Sequence, residues 1–329
     1  MISKHKRRDG YWQYYHLAHT QERDFLVNHI VSLVNENPPP IQQKKSKSGR
    51  KPIHSKAKMY CICILMVAFG LTYRDMQNII PSLNLPWNEP TPDHTTIAKF
   101  FQKIPLNWLE IILTRAAYLC LAESGWKKGI LGSDSTAVAT DLYCHEIRPV
   151  KNRHEFEQIK IRQHLKWHIV SVLDHLVILC SRITSKRTHD SPVLKTMLHR
   201  MKKIGIDLGG SIFDADKGYD SDDRCRQIFE MGMMPNISQR ENATNRNKRF
   251  RRKAARIFDA TVYRYRGLIE GIFGAEESEH HQLYCRLKKR QNQHRWGQIK
   301  SIGWNLEVLN RLICANKLRI EVKEYVNVN

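Results

Sequence analysis

The chemistry-bearing residues of this sequence are acids set in apolar surroundings. Asp134 sits inside the run Gly129-Ile130-Leu131-Gly132-Ser133-Asp134-Ser135-Thr136-Ala137-Val138. A carboxylate in such a run is costly unless a cation or local hydrogen-bond donors meet it. The simpler reading is an acid satisfied by nearby backbone. Asp214 and Asp216 close a second apolar run that begins at Ser211. Alternate strand residues share a face, so periodicity leaves both acids open as site residues. Glu270 lies in the helical pattern 260–273 and taken alone reads as a surface glutamate. Tyr263, Arg266 and Glu270, however, are spaced three and four apart, which places them on one face of a helix. A guanidinium fork matches phosphate geometry, so that face suits a phosphate held beside a metal. Hard divalent cations take oxygen ligands, and carboxylates on rigid elements supply them. Two such ions about 3.5–4 Å apart activate the attacking oxygen and stabilise the leaving oxygen of a phosphodiester.

The elements that must position these residues follow from periodicity. Strands are expected at 129–138, 168–173 and 176–180, the last two joined by a hairpin at Asp174-His175. A helix at 192–204, a strand at 211–216, a helix at 222–231, a strand at 234–237 and a helix at 260–273 follow. That order is the order of a ribonuclease H-like fold. Asp190 stands just before the 192–204 helix, where a carboxylate caps free N–H groups. Upstream the pattern is helical, at 22–35, 55–70, 73–80, 91–100 and 108–122, with Pro38-Pro39-Pro40 as a stop. Three short helices there suit either a helix-turn-helix or a small dimerisation unit. The expected class is α+β, an all-helical N-terminal region followed by a ribonuclease H-like mixed α/β catalytic domain. The expected divisions are an N-terminal helical segment at 1–40, a basic linker at 41–54 and a helical DNA-binding or dimerisation domain at 55–126. The catalytic domain takes 127–315 and a tail 316–329.

The formal net charge of +22 points to a polyanionic partner. Neutralised phosphates release counterions and give sequence-independent affinity, so double-stranded DNA is the partner the charge fits. Two basic clusters lie near the acids. Arg246-Asn247-Lys248-Arg249-Phe250-Arg251-Arg252-Lys253 precedes the Glu270 helix, and Leu287-Lys288-Lys289-Arg290 with His294-Arg295-Trp296 follows it. Lys248, Arg249, Arg251 and Arg252 are read as a DNA track. Trp304, Leu306, Leu309 and Leu312 read as core. The apolar run 59–71 is shorter than the ~20 residues a bilayer crossing needs and reads as a buried helix. The eight cysteines show no zinc-finger spacing. No apolar segment follows the charges at the N-terminus, so the expectation is a cytoplasmic, nucleoid-associated chain with reduced thiols.

Four motifs together carry a resemblance: Gly132-Ser133-Asp134-Ser135-Thr136, Thr188-His189-Asp190-Ser191, Asp214-Ala215-Asp216-Lys217-Gly218-Tyr219-Asp220-Ser221, and Tyr263-x2-Arg266-x3-Glu270. They resemble the DDE transposases of prokaryotic insertion sequences, in the group pooling families four and five. The resemblance covers roughly 127–312. It implies Asp134, Asp216 and Glu270 as metal ligands and catalytic residues, and Mg²⁺ or Mn²⁺ as the cofactor, two ions in all. It selects Asp216 over Asp214, because Asp216 directly precedes Lys217-Gly218-Tyr219. It implies Tyr263 and Arg266 as contacts to the transposon end, and a homodimer when two ends are paired. The sequence departs from the pattern at Glu277, where the family has a DNA-touching lysine, and Lys288 or Lys289 would take that role. Two other readings remain open at this point: a transposase-derived protein that binds DNA without cutting, and a nuclease that cuts without joining.

Overall fold

In the N-terminal region the helices that begin at Lys56, Tyr73 and His94 do so where a side chain receives free backbone N–H groups. In the computed structural model, which describes residues 11–40, 52–140, 145–151, 156–162, 164–240, 248–278 and 283–318, α1 (Tyr11–Glu36) ends just before the proline run. Helix α2 (Lys56–Ala68) is capped by Ser55 and is buried along almost its whole length, as its unbroken apolar sequence demands. Helix α3 (Tyr73–Ile79) opens with a reciprocal Thr72–Asp75 capping box. Helix α4 (His94–Phe101) is capped by Asp93, which accepts from the N–H groups of Thr95 at 2.8 Å and Thr96 at 3.0 Å. Helix α5 (Leu106–Glu123) closes the region. No single helix among the described residues is long and apolar enough to cross a membrane.

The sheet follows. Its strands are β1 (Ile130–Thr140), β4 (His164–Val172), β5 (Val177–Ser185), β6 (Ile212–Ala215) and β7 (Met234–Ile237), with a short β8 (Tyr284–Cys285). Between β1 and β4, β2 (His145–Lys151) and β3 (Phe156–Arg162) form a separate antiparallel ribbon. The sheet order is β5-β4-β1-β6-β7, with β8 on β1. β1 is antiparallel to β4 and parallel to β6, and β6 is parallel to β7. Helices α6 (Asp190–Met201), α7 (Asp222–Glu230), α8 (Arg249–Arg256), α9 (Ala260–Tyr263), α10 (Leu268–Ser278) and α11 (Arg290–Lys317) complete the chain. A helical region followed by this mixed sheet is the ribonuclease H-like architecture expected.

Two local expectations are corrected. The ribbon β2–β3 was not anticipated, because Pro149 and the charges around it depress the strand signal. The segment 260–273 is not one helix. It breaks into α9, a tighter 3₁₀ turn at Arg264–Gly267, and α10. Gly267, a poor helix former, lies at that junction.

The chain forms two compact units. One comprises Met1–Gly129, Asp174–Ile178 and Ile299–Asn329, the other Ile130–Leu173 and Leu179–Gln298. In the first, Asn305 satisfies both backbone groups of Ile178, at 2.8 Å each, and the Trp304 indole N–H donates to the Leu176 carbonyl at 2.7 Å. Trp304, Leu306, Leu309 and Leu312 are buried, as expected. The second unit holds every residue expected to do chemistry. Residues 41–51 of the expected linker, Arg246 and Asn247 of the basic cluster, and the tail from 319 lie outside the described residues.

Candidate active site

Asp134 stands midway along β1, half-buried. Its backbone neighbours allow a helix to approach closely here. A Cβ on Gly132 would lie 2.6 Å from the Ile269 Cδ1, a side-chain tip that would have to shift, so α10 packs closely over the strand here. That packing brings Glu270, exposed in the first turn of α10, towards Asp134. One oxygen of Asp134 accepts from the Ser135 N–H at 2.8 Å. The other accepts from the Arg266 Nη1 at 2.9 Å. Burial raises the Asp134 carboxyl above its ordinary value, the Ser135 N–H and Arg266 oppose this, and the charges of Asp216 and Glu270 add to it.

The two acids that periodicity left open have different surroundings. Asp216 lies beyond the end of β6 and caps the 3₁₀ turn Lys217–Tyr219, accepting from the Lys217 N–H at 2.7 Å. The Tyr263 hydroxyl donates to it at 3.4 Å. Asp214 lies within β6, fully buried, and accepts from the Asn236 Nδ2 at 2.7 Å. Burial pushes its carboxyl up to about 7, against the opposing Asn236 hydrogen bond. The break at Arg264–Gly267 notwithstanding, Tyr263 and Arg266 reach the two carboxylates, and the Arg266 guanidinium lies 5.8 Å from the Tyr263 ring centroid.

The sequence profile of the transposase DDE domain matches residues 132–306, more than half of the chain and the whole of this site. The chain belongs to the transposase DDE domain family. No curated protein matches it. Among solved structures it is similar to the Mos1 transposase paired-end complex with left transposon end, at 8% identity and TM-score 0.24 over 73% of this chain and 83% of that one. It is also similar to the Mos1 mariner paired-end complex with Mn, at 7% identity and TM-score 0.24 over 72% and 82%. A pre-cleavage Mos1 transpososome matches at 7% identity and TM-score 0.25 over 82% of each chain.

DDE transposases are DNA-cleaving and DNA-transferring enzymes that depend on divalent metal. Among the described residues, no three His, Cys, Asp or Glu side chains already converge closely enough to hold an ion. The donor chemistry of this DDE domain nonetheless fits one. Asp134, Asp216 and Glu270 offer oxygen alone, and the charges of the latter two act on Asp134. The positive charge that such a set calls for is supplied at Asp134 by Arg266.

The basic residues divide by direction. Lys248, Arg249 and Arg252 are exposed around α8. Lys253 and Arg256 extend the same face, at the i, i+3, i+4, i+7 spacing of 249, 252, 253 and 256. That spacing was legible, but the cluster was read as a charge run and not as a helix, so Arg256 was not grouped with it. Arg251 is corrected. It turns inward, pairs with both oxygens of Asp220, and is buried. A guanidinium committed to a buried carboxylate is not on offer to a phosphate. Lys288 and Lys289 are exposed just before α11. Asp190 is likewise corrected. The N-cap of α6 is His189, with no side-chain cap. Asp190 instead accepts from the Lys166 Nζ at 3.0 Å and the Ser135 Oγ at 3.4 Å.

Proposed function

We propose that this chain binds the terminal inverted repeats of its own insertion sequence, hydrolyses the phosphodiester at each end and joins the freed 3′-OH to target DNA. One observation carries the reading: Arg266 on Asp134 at 2.9 Å and Tyr263 on Asp216 at 3.4 Å bring the two expected end-contacting side chains onto one carboxylate on β1 and one just past the end of its neighbour β6. Asp134, Asp216 and Glu270 are the residues that would hold two Mg²⁺ or Mn²⁺ ions, which when bound activate the attacking oxygen and stabilise the leaving one. In the first step a water oxygen bonds to phosphorus, the bond from phosphorus to the 3′-oxygen breaks, and that oxygen leaves as the 3′-hydroxyl. In the second the 3′-hydroxyl, having lost its proton, attacks a target phosphorus in line and displaces a target 3′-oxygen. Arg266 and Tyr263 hold the end phosphate beside the carboxylates, which is positioning in the sense that dominates phosphoryl transfer. No covalent bond between protein and DNA is required.

Double-stranded DNA is the partner that the +22 charge and the exposed face of α8 support. Pairing two ends calls for a homodimer in the catalytic complex. The test is strand transfer from a pre-cut duplex end, with Mg²⁺ or Mn²⁺ and with chelator. Metal-dependent joining is the expected result. Cutting without joining would establish a plain nuclease, and binding without either would establish a transposase-derived DNA-binding protein.

A further inference from the structure

Asn236 lies on β7, in register with Asp214 of β6, and only 3% of it is exposed. Its side chain makes three hydrogen bonds. The Nδ2 donates to the Asp214 Oδ1 at 2.7 Å and to the Asp259 carbonyl at 3.0 Å. The Oδ1 accepts from the Asp259 N–H at 2.8 Å. A carboxamide presents a donor and an acceptor in one plane, so it can pair with both backbone groups of a single residue as a strand would. Asp259 is thereby fixed to the sheet although it belongs to no strand. Its own carboxylate then caps α9, accepting from the N–H groups of Thr261 at 2.7 Å and Val262 at 3.2 Å. Tyr263 and Arg266, which reach Asp216 and Asp134, follow directly along the chain.

We infer that Asn236 is a positioning residue for this site, holding Asp259 and through it Tyr263 and Arg266 against the carboxylates. The inference rests on the proposed reading of Asp134, Asp216 and Glu270 as the cutting site. Asn236 touches none of those three and donates to Asp214, which the site does not use. It acts only by fixing where the next segment begins. The chain from Asp259 to Arg266 crosses a short helix and a 3₁₀ turn, so a small rotation at Asp259 is carried to the guanidinium. Leucine resembles asparagine in shape but offers neither donor nor acceptor.

The experiment uses the full chain, Mn²⁺ and a synthetic duplex carrying the element's own terminal repeat. Asn236→Leu is expected to lower the cleavage rate at saturating duplex on the order of 10- to 100-fold, as misplacement near a reacting phosphate does. Its affinity for the duplex should stay near that of the wild type, because the exposed basic face is untouched. A merely structural role would lower the melting temperature and the active fraction together, leaving the rate per folded molecule unchanged. Asn236→Asp combined with Asp214→Asn keeps a donor and an acceptor across the 214 pair but sets a carboxylate oxygen against the Asp259 carbonyl, so it is expected to cleave as slowly as Asn236→Leu. If Asn236→Leu does not fold, this exchange decides. A folded but slow exchange variant supports the inference, and a folded one cleaving near the wild-type rate overturns it. A full rate in Asn236→Leu, with Asp216→Asn inactive, overturns this inference alone. A full rate in Asp216→Asn overturns the reading of the site on which it rests.

Discussion

The Arg266 guanidinium sits 2.9 Å from Asp134, on the oxygen that the Ser135 N–H leaves free. Both side chains are about one-fifth exposed, at 23% and 22%, so solvent screens the pair and its net worth is small, of order 1 kcal/mol. A weak pair is replaceable. Under the proposed function Arg266 must leave Asp134 when an ion arrives and turn to the end phosphate. Arg266→Gln should therefore raise Mn²⁺ affinity of the DNA-free protein by roughly fivefold, the equivalent of about 1 kcal/mol of competition removed. Cleavage should fall at the same time, because the phosphate loses its fork. Electron paramagnetic resonance of free Mn²⁺ measures the first effect. Unchanged or weaker Mn²⁺ binding would mean that Arg266 does not compete with the ion.

The carboxylates themselves separate by environment. Asp134→Asn, Asp216→Asn and Glu270→Gln should each abolish end cleavage with DNA binding largely retained, since each removes an anionic ligand and leaves the basic surface in place. Asp214→Asn should be much milder, because Asp214 faces Asn236 inside the sheet. A gel-based cleavage assay beside a binding titration checks both statements. Equal loss in Asp214→Asn and Asp216→Asn would remove the distinction between them.

Strands β1, β4, β5, β6 and β7 were legible because each carries its own apolar run, bounded by turn residues. β7 at Met234–Ile237 matches the expected bounds at both ends. The order of acids along those strands carried the resemblance, and with it the family. What the sequence hid was direction. Arg251 and Arg252 are neighbours of one type, yet one is buried against Asp220 and the other exposed, because α8 turns 100° between them. Asp190 looked like a cap and is a partner of Lys166, a helix-to-strand placement that linear spacing does not encode. Asn236 carried no signal at all, since its role depends on a loop distant in sequence.

His168 gives a pH signature. It is buried on β4, its Nε2 is 2.8 Å from the Thr184 Oγ1, and burial holds it down at about 4 despite the opposing charge of Asp190. Unfolded, it would titrate near 6.5. The fold holds the neutral ring, so this stability is fully present above about pH 6.5 and is lost as pH falls towards 4, by a few kcal/mol at most. His168→Gln should flatten that part of the dependence of the urea midpoint on pH. Identical slopes in variant and wild type between those limits would show that His168 does not contribute.

The face of α8 and its inward arginine should respond in opposite ways. Neutralising Lys248, Arg249 and Arg252 together should flatten the slope of log affinity against log salt by up to about 0.9 for each phosphate left without its cation. Melting temperature should hardly move. Arg251→Leu leaves Asp220 buried without its partner, which costs on the order of 3–5 kcal/mol, and should leave the salt slope alone. An unchanged slope in the triple variant would mean that this face does not meet DNA.

Glu277 is exposed on α10, the helix that begins just before Glu270. Seven residues are close to two helical turns, so the two glutamates share a side of the helix, roughly 10 Å apart along its axis. DNA held at Glu270 would therefore pass near Glu277, where a carboxylate repels phosphate. Lysine there replaces repulsion with attraction and adds one phosphate-neutralising group. Glu277→Lys should strengthen end binding several-fold at low salt and steepen the log–log salt slope by about 0.9, the mark of one further counterion released. Cleavage at subsaturating duplex should rise in proportion, while the saturated rate stays the same, because the substitution adds binding without touching the carboxylates. If neither affinity nor slope changes, the helix presents Glu277 away from the duplex. Lys288 and Lys289, exposed ahead of α11, are then the side chains to neutralise next, and a flattened slope there would assign them the role of holding the phosphate.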